Sequence, residues 1–242
     1  MRTQAGLALL SRDKQLAKAR FVRKWMNEHL GPQPTIADIS CGSAFLAHLL
    51  EYGEYVGVDH PDLVGTLAPI SSRVAFVAHD FEQAECDLSL GSPADLVISF
   101  ETIEHVTDPA GFLIQIHRNL KPRGSFILST PNNPSGAPPR YADHVREYSL
   151  AEMAGLMEAS GFHVVRAYAL GVPFGLITSL LRRRSIRVYR HNLREKRGFL
   201  SRASDHLPLL RRFYCRIAPY NVAGLPLGDS GETMILIASP TS

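Results

Sequence analysis

Apolar positions along the chain fall into short blocks, some repeating every second residue and others with the spacing of a helix face. Leu16–Leu30 carries a helical pattern that stops at Gly31-Pro32. Thr35–Ile39 follows as a β-branched run, then Ser40-Cys41-Gly42 and a second helical pattern through Phe45, Leu46, Leu49 and Leu50. Tyr55–Val58 predicts a second strand ending at Asp59, Val74–Ala78 a third ending near Asp80, and Ala94–Ser99 a fourth. Phe112, Leu113, Ile116 and Leu120 recur at helical spacing before a stop at Lys121-Pro122-Arg123-Gly124, and Ser125–Ser129 predicts a fifth strand. Ser149 and Glu152 have the spacing of a capping box ahead of Met153, Leu156 and Met157, and Gly161 ends that helix. His163–Ala169 and Thr233–Ala238 complete a set of seven strand-like runs. Strands alternating with amphipathic helices predict a doubly wound α/β sheet.

At 242 residues, 45% of them hydrophobic and 20% charged, the chain has ordinary globular composition, sized for one domain with an elaboration. No uncharged apolar run approaches the ~20 residues of a membrane span, and the apolar stretch near the N-terminus is too short for a secretion signal. Cys41, Cys86 and Cys215 lie far apart with no Cys-x-x-Cys pair, which argues against a disulfide framework or a cysteine zinc site and predicts a cytoplasmic location.

Charge changes this picture. Between Val172 and Arg216 stand twelve Lys/Arg against two acidic residues, a local excess of +10 that leaves −7 for the rest of a chain whose net charge is +3. Four segments follow: an N-terminal helical segment (1–33), a core (34–170), a basic insertion (171–231), and the last strand with its tail (232–242). Pro131–Pro139 is too rich in proline for regular structure.

In doubly wound sheets ligands bind at the carboxyl ends of strands, near the switch in strand order. There the first strand ends in Asp38-Ile39-Ser40-Cys41-Gly42-Ser43-Ala44, a small-residue turn that lets backbone approach a ligand closely. Asp59, after the second strand, is placed to accept from a pair of ribose hydroxyls, and Asp80-Phe81, after the third, to meet an adenine edge and face. Singly each aspartate is as well read as a turn cap, but three in register are harder to explain that way.

These segments (IADISCGSA, YVGVDHPD, VAHDFEQ, ADLVISFETIEHVTDP and LKPRGSFILSTPN) resemble, in order and spacing, the class I S-adenosylmethionine-dependent methyltransferases, and HVREYSLAEMAGLMEASGF resembles the helix and strand that follow. The resemblance covers roughly residues 30–170 and the final strand. It implies a Rossmann-like seven-stranded sheet with the last strand antiparallel, helices on both faces, and a basic insertion before that strand. It also implies S-adenosylmethionine as cofactor, held by Asp38, Ser40, Cys41, Gly42, Asp59, Asp80, Phe81 and Phe100. Ser40 and Ala44 stand where glycines are common, which asks Ser40 for glycine-like dihedrals or the loop for a shift. Cys41 reads as a small packing residue.

After the fourth strand, Glu101, Glu104 and His105 have the i, i+3, i+4 spacing of one side of a helical turn, and two carboxylates with an imidazole suit a divalent cation. The arrangement resembles two metal-using groups, the ubiquinone-biosynthesis O-methyltransferases and the small-RNA 3′-terminal 2′-O-methyltransferases. That resemblance places the ligands on Glu101, Glu104, His105 and His144, the same four residues expected to act in catalysis. Mixed carboxylate and imidazole ligation does not choose among Mg, Mn, Fe, Co and Zn. A cation there would favour vicinal hydroxyls in the acceptor.

Val172–Leu181 is apolar and leads straight into Arg182-Arg183-Arg184. Apolar followed by basic suits an anionic membrane surface, a phosphate clamp or a nucleic-acid contact. No RNA-binding module is recognisable, so a phosphorylated, acidic or lipid-linked small molecule is favoured over RNA as acceptor. The expected function is O-methylation of such an acceptor. The alternatives are RNA 3′-end methylation, a metal-independent N- or O-methyltransferase with His105 as base, and a non-catalytic protein that binds the cofactor or docks on membranes.

Overall fold

The structure is a computed structural model, described here for residues 18–48, 50, 53–83, 87–139, 141–170 and 233–241. The basic segment 172–216, with its arginines, lies outside the described residues. The strands are β1 (Thr35–Ile39), β2 (Glu54–Asp59), β3 (Val74–Ala78), β4 (Ala94–Phe100), β5 (Leu120–Pro131), β6 (Phe162–Leu170) and β7 (Thr233–Pro240). The helices are α1 (18–29), α2 (Pro61–Val64), α3 (Pro109–Arg118) and α4 (Leu150–Ala159), with a 3-10 turn at Ile103–His105.

All seven strands join one sheet in the order β3-β2-β1-β4-β5-β7-β6. β1 to β5 pair in parallel, and β7 runs antiparallel between β5 and β6. The interior strands β1 and β4 bury Ile36, Ala37, Ile39, Leu96, Val97 and Ile98, as expected of parallel strands covered on both faces. On one face α3 and α4 press Phe112, Leu113, Ile116, Met153 and Met157 against Val97, Phe126 and Leu128. On the other, α1 presses Ala19, Val22, Trp25 and Met26 against Ile36, Leu96, Ile98 and Ile127. Burying each of these large side chains is worth roughly 1.5–3 kcal/mol, so the two layers hold the sheet rigid beneath the strand ends.

Two expectations are corrected. The helix expected after β1 is a run of turns over 42–48, because Ala44 sits at φ 53, outside right-handed helix geometry. Leu46 and Leu50 are still buried beneath α1. Lys121–Gly124, read as a helix stop, belongs to β5, and the β4–β5 register shifts between Ala94 and Leu96. The stop is Asn119: its amide donates to the carbonyls of Leu88 and Gln115, and its Oδ1 accepts the Leu90 N–H. Among the described residues no helix is long and apolar enough to cross a membrane.

Candidate active site

The chain leaves β1 toward β2, while β4 flanks β1 on the other side, so strand order reverses between β1 and β4. A cavity of about 280 Å³ opens there, lined by Asp38, Ser40, Cys41, Gly42 and Ser43 from the end of β1, Phe45 and Leu46 beyond it, Phe100 and Glu101 from the end of β4, and Lys18 from α1. Five of the eight residues expected to hold the cofactor thus meet at one cavity. Ser40 takes φ 57, beside Gly42 at φ 56, so the turn keeps glycine geometry with a serine in place.

The other three are not among its lining residues. Asp59 clamps the turn, with Oδ2 accepting the Gly42 N–H and Oδ1 the His60 N–H, both at 2.8 Å. Asp80 accepts the Glu82 N–H at 3.0 Å and the Gln83 amide at 3.2 Å. Phe81 packs edge-on against both His79 and Phe112. Cys41 fills the space above Gly57: a Cβ there would lie 2.9 Å from its Sγ and 2.8 Å from the Phe76 ring. Burial and the nearby Asp38 push its thiol up to about 12, which agrees with a packing role.

Asp38 is buried, and its Oδ2 accepts the Tyr55 hydroxyl at 2.5 Å. Burial pushes its carboxyl up to about 7; the Tyr55 hydrogen bond opposes that rise and the charge of Asp59 adds to it. Lys18 reaches Glu101 Oε1 at 2.9 Å and lies 5.0 Å from the centre of the Phe100 ring.

Three of the four expected metal ligands come together. Glu104, His105 and His144 each offer a ligand atom, all within 4.8 Å of one another. Glu101 departs from its expected place on a helical turn: at φ 54 it precedes the turn at Ile103–His105 and gives its carboxylate to Lys18 and to Ser129 Oγ, 2.8 Å away. Glu104 is almost fully buried, accepts from Thr130 Oγ1 at 2.9 Å, and is raised by burial and then by the charge of Glu101. Val145 and Arg146 donate their N–H groups to the Glu104 carbonyl, which draws the segment carrying His144 back over the end of β4. His105 Nδ1 lies 2.8 Å from the Asp143 carbonyl. His144 Nδ1 lies 2.9 Å from Glu147 Oε1. Both partners are acceptors, so Nδ1 is the donor in each ring and Nε2 is the nitrogen left to meet a ligand.

Lys18, Tyr55 and Glu147 were not found by sequence reasoning. Glu147 had a local signal in its i+3 spacing from His144. Lys18 and Tyr55 read as ordinary positions of a helix and a strand.

A seven-stranded sheet with one reversed strand, and a cavity at the β1/β4 switch, define the class I methyltransferase architecture. The chain belongs to the methyltransferase domain family, whose profile matches residues 12–167. It is 32% identical over 136 residues to a probable S-adenosylmethionine-dependent methyltransferase of Mycolicibacterium smegmatis, covering 53% of this chain and 52% of that protein. It is 30% identical over 114 residues to a ubiquinone biosynthesis O-methyltransferase of Pseudomonas paraeruginosa, covering 45% and 49%. The match thus spans about half the length of these relatives. Among solved structures, an S-adenosylmethionine-dependent methyltransferase from Clostridium acetobutylicum superposes with a TM-score of 0.57 at 10% identity, covering 93% of this chain and 92% of that one. Magnesium protoporphyrin IX methyltransferase from Synechocystis, solved with bound S-adenosylhomocysteine, gives 0.53 at 14% identity over 94% and 84%.

Proposed function

We propose that the protein transfers a methyl group from S-adenosylmethionine to one of two vicinal hydroxyls on a small acceptor, with a divalent cation held by Glu104, His105 and His144. The observation that carries this reading is the convergence of those three ligand atoms within 4.8 Å, with Glu104 three residues along the chain from Glu101 of the cavity lining. S-adenosylmethionine supplies the activated methyl group. Asp38 offers an acceptor, and Lys18 a cation, suited to the two charged groups of its amino-acid portion. Residues 40–43 offer close backbone approach, and Phe100 an apolar surface.

The donor set fits a cation: one buried carboxylate and two imidazoles whose tautomers are fixed by outer partners. A cation there supplies Lewis-acid polarisation of bound hydroxyls. The ligands do not select which metal. Likeness to the ubiquinone-biosynthesis O-methyltransferase supports an oxygen acceptor.

A second reading rests on His105, whose Nδ1–H is committed to Asp143 while its ring is partly exposed. In that reading Nε2 takes the acceptor's proton directly as the new O–CH3 or N–CH3 bond forms and the S–CH3 bond breaks. Calorimetric titration with S-adenosylmethionine and with its demethylated product, before and after chelator treatment and manganese(II) re-addition, separates the two. The metal reading expects Glu104→Ala to abolish manganese binding and lower turnover at least ~100-fold while cofactor affinity stays within about threefold. Full turnover after chelation would move the chemistry to His105 alone. Binding of neither cofactor form would remove the enzyme reading altogether.

A further inference from the structure

β2 carries an aromatic residue whose position none of the cofactor reasoning used. Tyr55 is 4% exposed, its ring packed in the layer beneath α1, and its hydroxyl emerges beside the cavity. There it donates to Asp38 Oδ2 at 2.5 Å, across neighbouring strands in which Ile36 pairs with Tyr55 and Asp38 with Gly57. Gly57 leaves no side chain on the intervening position of β2, and Cys41 occupies the space that one would take. Among the described residues, the side-chain donor to Asp38, itself 4% exposed, is therefore the Tyr55 hydroxyl.

The groups that face or surround Asp38 come from every neighbouring element. β2 contributes the Tyr55 hydroxyl and Asp59, the turn after β1 contributes Cys41, α1 contributes Lys18, and the end of β4 contributes Glu101. Asp59 is committed to the turn's amides, and Lys18 is paired with Glu101. What holds the Asp38 carboxylate in its orientation, and favours its anionic form, is the Tyr55 hydroxyl.

We propose that Tyr55 is a positioning residue for cofactor binding: its hydroxyl fixes the Asp38 carboxylate on the cavity wall, oriented for the cofactor's ammonium group. This rests on the cavity being the S-adenosylmethionine site. Burial already lifts Asp38 to about 7, and the Tyr55 hydrogen bond is the largest force holding it down. Loss of the hydroxyl raises the carboxyl further, so a smaller fraction is charged at any pH below the new value.

The test is titration calorimetry of the full chain with S-adenosylhomocysteine, which shares the amino-acid portion and is stable across the range, for the parent, Tyr55→Phe and Asp38→Asn. Comparing variant with parent at each pH cancels the ligand's own titration. Tyr55→Phe is expected to bind about tenfold more weakly than the parent near pH 6, for each unit that Asp38 rises, and within about threefold near pH 9. The parent's advantage over Asp38→Asn should be about tenfold smaller at pH 6 than at pH 8. A loss in Tyr55→Phe that is equal at all pH values, or no loss, overturns the assignment. So does an Asp38→Asn variant that stays below the parent by a constant factor, a result readable even if Tyr55→Phe fails to fold. If the parent binds no S-adenosylhomocysteine at any pH, it is the cavity's assignment to the cofactor that fails.

Discussion

Asp38 shows how one side chain ties local chemistry to stability. Its folded carboxyl lies near 7, above its ordinary value of 3.8, because burial disfavours the charge. Such a group favours the folded state while it holds its proton, below the ordinary value, and that contribution is lost as pH rises through about 7. Asp38→Asn keeps an oxygen for the Tyr55 hydroxyl without the charge. Its melting temperature should therefore exceed the parent's by several degrees near pH 8, and the two should converge near pH 4, as thermal melts followed by circular dichroism will read. At this scale the sequence was informative at strand ends, where position picked out Asp38 and Gly42 and spacing picked out Glu104, while His144 was reached through a family resemblance. Lys18 and Tyr55 could not, because each meets its partner only after two distant segments pack, at separations of 83 and 17 residues. Glu101 misled because periodic spacing assumes a continuous helix, and its left-handed backbone breaks that assumption.

At the level of elements, the strands were the most legible part of the fold, since β1 and β3 begin and end where their apolar runs do. Boundaries failed where tertiary hydrogen bonds took over. Asn119 ended α3 before the proline that looked like its stop, and backbone geometry at Ala44 undid a helical pattern that apolar spacing alone supported. The capping box of α4 was legible in full: Ser149 Oγ accepts the Glu152 N–H, and the Glu152 carboxylate returns to the Ser149 N–H at 2.8 Å. Ser149→Ala should cost about 1 kcal/mol of unfolding free energy in urea titration, and leave S-adenosylhomocysteine affinity unchanged, because the box lies on α4 and not at the cavity. A loss of affinity instead would tie α4 to the site.

For the whole molecule the central question is how an acidic body works with a strongly basic segment. Twelve cations in one stretch repel one another unless they are solvated or face an anion. Replacing Arg182, Arg183 and Arg184 together with Gln should raise the acceptor's KM about tenfold, or release the protein from anionic vesicles, with kcat held within about twofold. The difference should shrink as salt is added, since exposed charges are screened within ~8 Å at physiological ionic strength. A fall in kcat at constant KM would place the arginines in the methyl-transfer step. Substrate identity was the least legible property, because class is written in the sheet while acceptor choice depends on loops that vary freely around it.

Among the described residues, left-handed backbone at non-glycine positions occurs at Ser40, Ala44 and Glu101. Two of these sit in the turn after β1 and the third at the end of β4. Each such residue costs roughly 1–2 kcal/mol relative to a relaxed backbone, so the rim of the cavity acts like a spring wound by the rest of the fold. The consequence is evolutionary. A population selected only for heat resistance would drift toward glycine at these positions, relaxing the spring, while also giving the loop freedom that cofactor binding must then remove. Retaining Ser40 and Ala44 trades resilience for a loop already set in shape, and any thermostable descendant of this chain will show which of the two its history favoured.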